Sequence, residues 1–145
     1  MVTPLSPRLR SIVDALPLRP GLRVLEIGCG PGAAAREVVR RLGDGHVLAI
    51  DRSARACALA AQACREELES GRLSLRRIAV EDLVLEPGEP LYDLAFGVRV
   101  GALDGRHPRA GERALRRITT ALTPAGRLFI DGGDPLREIV LSRRS

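Results

Sequence analysis

The chain has 145 residues, which suits one domain and is too short for two. It is 45% hydrophobic but only 2% aromatic, so aliphatic side chains must supply the core. No apolar run reaches the roughly 18 residues that cross a bilayer, and the N-terminus lacks the apolar stretch of a signal peptide. We therefore expect a cytoplasmic protein with no membrane partner.

The formal charge of +5 raises nucleic acid as a partner, and every basic residue other than histidine is an arginine. The arginines are scattered along the chain, and one Tyr, two Phe and no Trp leave almost nothing to stack on bases. We do not expect nucleic-acid binding.

The three cysteines, Cys29, Cys57 and Cys64, form no paired motif. An odd number without close spacing predicts neither a disulfide framework nor a metal site. The sequence favours buried thiols.

In chain order, apolar runs that end at glycines or prolines predict strands, and helical spacing of apolar residues predicts helices. The predicted strands are residues 22–27, 46–50, 73–80, 91–100 and 127–131. The predicted helices are residues 8–16, 33–42, 54–68, 109–122 and, as a short last one, 135–142.

This alternation predicts an α/β fold: a doubly wound, mostly parallel sheet of about five strands in the order 3-2-1-4-5, with helices on both faces. We expect a single domain over residues 1–145. In such a sheet the ligand binds beyond the carboxyl ends of the strands, at the switch point beside the first strand.

A glycine-rich loop, residues 28–32, lies at that switch point. Glycines there allow a sharp turn and the close approach of a ligand, but a nicotinamide dinucleotide also binds such loops. Glu26 favours a ligand with a positively charged group over a dinucleotide, because a carboxylate two residues before the loop would repel a pyrophosphate. Asp51, after the second strand, can accept hydrogen bonds from ribose hydroxyls, so it suits a nicotinamide dinucleotide and any other cofactor that contains a ribose.

Five segments resemble, in order, the motifs of the class I S-adenosylmethionine-dependent methyltransferases. Residues 24–32 resemble motif I, and residues 49–51, 80–83, 92–96 and 122–128 resemble the family's later strand ends and its turn into strand five. The resemblance covers roughly residues 5–134. It implies a Rossmann-like fold, S-adenosylmethionine as cofactor and methyl transfer by in-line displacement, for which we expect a small-molecule acceptor.

Carried over by position, the resemblance implies a set of cofactor-binding residues. The methionine part would be bound by Glu26 and the backbone of Gly28, Cys29, Gly30 and Gly32, the ribose by Asp51, the adenine by Arg52, Val80 and Glu81, and the methionine end would be lined by Val98. No catalytic residue is implied, and His107 is the better of two weak candidates for a base. Arg99 lies either at the pocket mouth or paired with an acid.

Two positions depart from the family pattern. Ala79 stands where many relatives have an acid that binds the adenine amino group, which makes Glu81 or Asp82 a substitute candidate. The usual fold also has an antiparallel hairpin after strand five, and the residues after Asp134 are too few for it.

Without that hairpin, strand five would be an open apolar edge, which native proteins cover or pair. We therefore expect a homodimer through the strand-five edge. The missing acceptor elements also leave an alternative function, a non-catalytic domain that binds S-adenosylmethionine or a protein partner. A nicotinamide-dependent oxidoreductase is the third candidate.

Overall fold

A computed structural model describes residues 4–143. Residues 1–3, 144 and 145, which belong to the predicted domain, lie outside the described residues. The helices are α1 (Pro7–Ala15), α2 (Ala33–Arg41), α3 (Ala54–Ala63), α4 (Arg65–Glu69) and α5 (Pro108–Ala121). The strands are β1 (Arg23–Ile27), β2 (His46–Asp51), β3 (Leu73–Arg77), β4 (Tyr92–Gly97), β5 (Leu122–Asp131) and β6 (Leu136–Ile139).

The sheet has six strands in the order β3-β2-β1-β4-β5-β6. Neighbours among the first five are parallel, whereas β6 is antiparallel to β5. The predicted α/β class and the order 3-2-1-4-5 are therefore confirmed. The chain order reverses between β1 and β4, and this is the position where open sheets of this type bind ligands.

Alternate side chains of each strand enter two separate apolar layers. On one face Val24, Val47 and Phe96 pack with α1 and α2, and on the other Leu25, Leu48 and Leu128 pack with α5. Helices cover both faces, as predicted. Two packed layers fix the sheet, and with it the relative positions of the strand ends.

Side-chain caps begin two of the helices. The Ser6 hydroxyl accepts a hydrogen bond from the Leu9 amide at 3.2 Å, with Pro7 in the first turn of α1. The Ser53 hydroxyl accepts one from the Ala56 amide at 3.1 Å and begins α3.

The helix predicted over residues 54–68 is two helices, with a break at Cys64. The Cys64 backbone departs from helical geometry, and its thiol donates to the Gly32 carbonyl oxygen at 3.5 Å. Cys64 and Cys29 are buried as expected, and Cys57 is partly exposed. The break therefore places Cys64 against Gly32, at the end of the glycine loop.

Three other boundaries differ from the prediction. The third strand ends at Arg77 because Val80–Asp82 forms a short 3-10 turn, and the fourth covers only Tyr92–Gly97. Residues 123–126, within the segment that resembles the family's turn into strand five, are part of β5, where the pairing with β4 shifts its register.

The segment predicted as a last helix is strand β6, so that prediction was wrong. Asp131–Asp134 reverses the chain, and Leu136–Ile139 pairs with Leu128–Asp131. Across the two strands, Arg127 and Glu138 form an ion pair at 2.7 Å. Strand five is thus paired on both sides, and the open edge on which we based a homodimer does not exist.

Within residues 4–143, no helix has the length and apolar character needed to cross a membrane.

Candidate functional site

The glycine loop, residues 28–32, is tied to the end of β2. The backbone amides of Gly28 and Cys29 both donate to the Ile50 carbonyl oxygen, at 2.9 and 3.0 Å. The Gly30 amide donates to Asp51 Oδ2 at 2.9 Å. These bonds fix the loop between two neighbouring strand ends and turn the chain into α2.

Asp51 lies beside the loop and is not the cap of α3. Its Oδ1 accepts from the Ser53 amide at 2.9 Å, while Ser53 itself caps the helix. A carboxylate has about four lone-pair positions, so two amide bonds leave capacity for a ligand. Asp51 also lines the cavity described below, which leaves that capacity accessible.

Glu26 is the one buried charged residue among those described, with 4% of its surface exposed. Its Oε1 has no hydrogen-bond partner within residues 4–143. Burial, and next the charge of Asp51, raise the pKa of Glu26 from its ordinary 4.5 to about 8. A buried carboxyl oxygen without a partner is costly, and such groups occur at functional sites. A cationic ligand group would supply what this oxygen lacks.

A cavity of about 600 Å³ opens at the carboxyl ends of β1 to β4. Its wall includes residues from each of these strand ends and from the start of α5. They are Ile27, Gly28, Ile50, Asp51, Arg52, Ile78, Ala79, Val80, Glu81, Arg99, Val100, Gly101, Ala102, Arg106, His107 and Ala110. We call it the main cavity.

Half of the predicted site residues line the main cavity. These are Gly28, Asp51, Arg52, Val80 and Glu81. Glu26, Cys29, Gly30, Gly32 and Val98 are not part of its wall. Gly30 is still next to open space, since a Cβ placed there would meet nothing within 4 Å.

Cys29 and Gly32 shape the loop by packing. Cys29 is buried, its thiol donates to the Gly30 carbonyl oxygen at 3.5 Å, and burial raises the pKa of that thiol. A thiol in this state is a poor nucleophile at neutral pH. Gly32 begins α2 with a φ of 89°, and a Cβ there would lie 2.9 Å from Cys64 Sγ.

The wall contains Arg99 and Val100 where we predicted Val98. The chain bends after β4, and Arg99 has a φ of 57°, which is uncommon for a residue other than glycine. Val100 then lies against the strand ends: its Cγ2 would be 3.0 Å from a Cβ on Gly28 or on Gly97.

Of the two candidate acids near the adenine position, only Glu81 lines the cavity. Asp82 is exposed and forms an ion pair with Arg113 at 3.0 Å. Glu81 also has its carbonyl oxygen bound to Arg113 Nε at 2.8 Å, which fixes its backbone.

Residues 98–107, which we call the mouth loop, supply two wall residues that the sequence named as candidates, Arg99 and His107, and others that it left unassigned. Arg99 lies at the cavity mouth, and its backbone amide donates to Asp131 Oδ1 at 3.0 Å. His107 lines the cavity at the start of α5, as does the neighbouring Arg106. The only sequence signals were the charge of Arg99 within an apolar run and the polar stretch before Pro108.

Comparison with known proteins gives the same family. A model described as a methyltransferase domain matches residues 24–126. A curated relative from Thermoplasma acidophilum, a probable cobalt-precorrin-6B C(15)-methyltransferase (decarboxylating), is 32% identical over 120 residues. That alignment covers 79% of this chain and 57% of the relative, so the chain spans little more than half of that protein.

Solved structures agree on the fold. The (4+2)-cyclase SpnF is 28% identical with a TM-score of 0.67, over 85% of this chain and 43% of that one. A methyltransferase from Geobacter sulfurreducens, solved with S-adenosyl-L-homocysteine, is 24% identical with a TM-score of 0.67, over 90% and 49%. With the family match over residues 24–126, the conclusion is that this chain belongs to the class I S-adenosylmethionine-dependent methyltransferases.

Proposed function

We propose that the main cavity binds S-adenosylmethionine and that the chain transfers its methyl group to a small-molecule acceptor. The observation that carries the proposal is the buried Glu26, with its unpartnered Oε1, two residues before a glycine loop that is tied to Asp51 of the cavity wall. The methionine part of this cofactor has an ammonium group, which suits a buried carboxylate. The family membership of the chain supports the same cofactor.

The chain's own residues divide the task of binding. Glu26 would neutralise the ammonium group, the backbone of the glycine loop would contact the methionine part, and Asp51 would accept from the ribose hydroxyls. Val80 and Glu81 would contact the edge of the adenine, and Arg52 would lie on one side of it. A cavity of about 600 Å³ lies in the usual range for ligand sites.

Bound S-adenosylmethionine would supply an electrophilic methyl group on a sulfonium. The protein then needs mainly to orient the acceptor and exclude water. The mouth loop is placed for this, since it connects β4 to α5 and lines the cavity. His107 is the titratable imidazole on that wall and would be the candidate to accept a proton from the acceptor.

Calorimetry with S-adenosylmethionine, S-adenosylhomocysteine and NAD in parallel tests this proposal. We expect micromolar binding of the first two, on the order of −8 kcal/mol, and none of NAD. Asp51→Ala should weaken binding by roughly 1.5–3 kcal/mol, because a charged hydrogen-bond acceptor is lost. Binding of NAD alone would contradict the proposal.

A second candidate function is a domain of this fold that does not transfer methyl groups. It is favoured by the 28% identity to SpnF, which is named as a cyclase. The two candidates differ in one readout. Once cofactor binding is established, methyl transfer from labelled S-adenosylmethionine to members of a metabolite panel supports the first, whereas binding without transfer across the panel supports the second.

A further inference from the structure

A second cavity of about 540 Å³ adjoins the main one at the ends of β5 and β6. Arg99 and Arg106 line both cavities, so the two share a wall. The rest of the second cavity includes Asp104, Asp131 and Arg137. A ligand that reaches from one cavity into the other would therefore pass Arg99 and Arg106.

Both acids of the second cavity are already paired. Asp104 forms an ion pair with Arg106 at 2.8 Å. Asp131 forms one with Arg8 at 2.9 Å and accepts the Arg99 amide at 3.0 Å. No further acid lines this cavity within residues 4–143.

Two guanidinium groups are consequently left without an acid. Neither Arg99 nor Arg137 forms an ion pair within the part of the chain that the structure describes, and both are exposed. Arg137 leans towards the turn beside the cavity, since a Cβ on Gly132 would lie 3.7 Å from its Nε. The antiparallel register places Arg137 opposite Ile130, at the carboxyl end of β5.

The backbone holds Arg99 at this junction. Its φ of 57° is unfavourable for a side chain with a Cβ, and the bond from its amide to Asp131 fixes that conformation. Asp131 also forms an ion pair with Arg8, so its carboxylate connects the end of β5 to both Arg8 and Arg99.

We propose that Arg99 and Arg137 bind an anionic group, a carboxylate or a phosphate, on the methyl acceptor. This rests on the proposed function, because it assigns the second cavity to the acceptor and the main cavity to the cofactor. Guanidinium groups bind such anions with two parallel hydrogen bonds, and unpaired ones on a concave surface are well suited to it. The acceptor is thus a small anion whose reacting end enters the main cavity past Arg99.

The test uses the protein saturated with S-adenosylhomocysteine, at low and constant salt. Tricarballylate, inorganic phosphate and a short single-stranded DNA are titrated separately and followed by calorimetry. The variants are Arg137→Gln, Arg137→Lys and the control Arg19→Gln. Arg19 is exposed and precedes β1, at the opposite end of the strands.

We expect the parent to bind tricarballylate or phosphate, and the one that binds identifies the anion. Arg137→Gln should weaken this binding about tenfold, the size of one charge-assisted hydrogen bond. Arg137→Lys should lose less, and Arg19→Gln should match the parent. Arg99→Gln should also weaken anion binding about tenfold. It is a second test variant, on the other side of the cavity.

Equal anion binding by the parent and Arg137→Gln would overturn the inference, as would no binding of either anion. Binding of the DNA alone would overturn it too, since the acceptor would then be a nucleic acid. Cofactor binding is measured first, so the two proposals fail separately. If the parent does not bind S-adenosylhomocysteine, the proposed function is contradicted. If it binds S-adenosylhomocysteine but neither anion, only this inference is contradicted.

Discussion

At the scale of single residues, the site depends on a buried oxygen without a hydrogen-bond partner as much as on the contacts that its side chains make. Glu26 was identifiable from its position two residues before a glycine loop. Its burial and its unpartnered oxygen were not, because they depend on the layers packed above and below β1. Burial, and next the charge of Asp51, raise the pKa of the Glu26 carboxyl, and its unpartnered oxygen suggests its proposed role.

Cofactor binding should depend on pH through Glu26. The pKa of Glu26 is raised to about 8, so the free protein is protonated there at neutral pH. An ammonium group favours the ionised carboxylate, so binding must release a proton below that value. We expect affinity for S-adenosylhomocysteine to rise by up to about tenfold per pH unit between about pH 6 and about pH 8.

Calorimetry in buffers with different ionisation enthalpies measures that proton release directly. Glu26→Gln should bind more weakly and show no such pH slope. A parent whose affinity is the same at both ends of this range would rule out Glu26 as the ammonium partner.

The same carboxyl should make folding stability fall as pH rises. Because its folded pKa lies above the unfolded 4.5, the native state binds the proton more tightly. The contribution of Glu26 to the free energy of unfolding is greatest below about pH 4.5. It falls between that pH and about pH 8, by at most about 1.4 kcal/mol per pH unit. Urea unfolding should show Glu26→Gln more stable than the parent at about pH 8, and a less stable variant there would contradict the raised pKa.

Two glycines of the loop should respond differently to alanine. Gly30 has a φ of 53° but open space around it, whereas Gly32 has a φ of 89° and would place a Cβ 2.9 Å from Cys64 Sγ. We expect Gly30→Ala to cost about 1 kcal/mol of stability and Gly32→Ala at least about 2. Gly30→Val should abolish cofactor binding while the protein remains folded. Equal loss of helicity and binding in that variant would make the loop a structural turn only.

At the scale of helices and strands, sequence reasoning worked where periodicity and glycines carried the signal. The first five strands followed from apolar runs that end at turns, and their order followed from the doubly wound fold that their alternation with helices predicts. Strand β6 was missed because four residues with two charges show no clear period, and the partner on β5 decides their conformation. Arg99 and His107 were named as candidates from the sequence, but the path of the mouth loop was not predicted, because it depends on contacts such as the one between Arg99 and Asp131.

One polar cluster joins β3, the start of β4 and the loop between them. Glu89 accepts the Tyr92 hydroxyl at 2.6 Å, the Glu86 amide at 2.8 Å and Arg76 at 3.1 Å. Burial alone would raise the pKa of Glu89, but the bonds from Tyr92, Glu86 and Arg76 outweigh it and lower the pKa. The cluster attaches the loop before β4 to β3.

Glu89→Gln should therefore destabilise the protein by about 2 kcal/mol, since it removes a charge on which three donors converge. Because the folded pKa is lowered, this stability is present above the unfolded value and is lost as pH falls through the folded one. The gap between parent and variant in urea unfolding should narrow in acid. Glu86→Gln, at an exposed side chain, is the matched control, and an equal effect there would show that the Glu89 cluster contributes nothing specific.

At the scale of the whole molecule, four strand ends, the glycine loop and the start of α5 meet at the main cavity. A ligand there contacts groups that are far apart in the chain but belong to one packed sheet. Ligand binding should therefore stabilise the fold as a unit, by an amount set by mass action.

We expect S-adenosylhomocysteine at about 100 times its Kd to stabilise the protein by about 2.7 kcal/mol. For a chain of 145 residues this corresponds to a rise in Tm of roughly 8 °C. NAD should leave Tm unchanged, because a pyrophosphate has no favourable partner beside Glu26 and Asp51. Arg19→Gln should shift like the parent, whereas Glu26→Gln, which binds more weakly, should show a smaller shift at the same ligand concentration. A rise of the same size with NAD, or an unchanged Tm with S-adenosylhomocysteine, would show that the main cavity does not bind this cofactor.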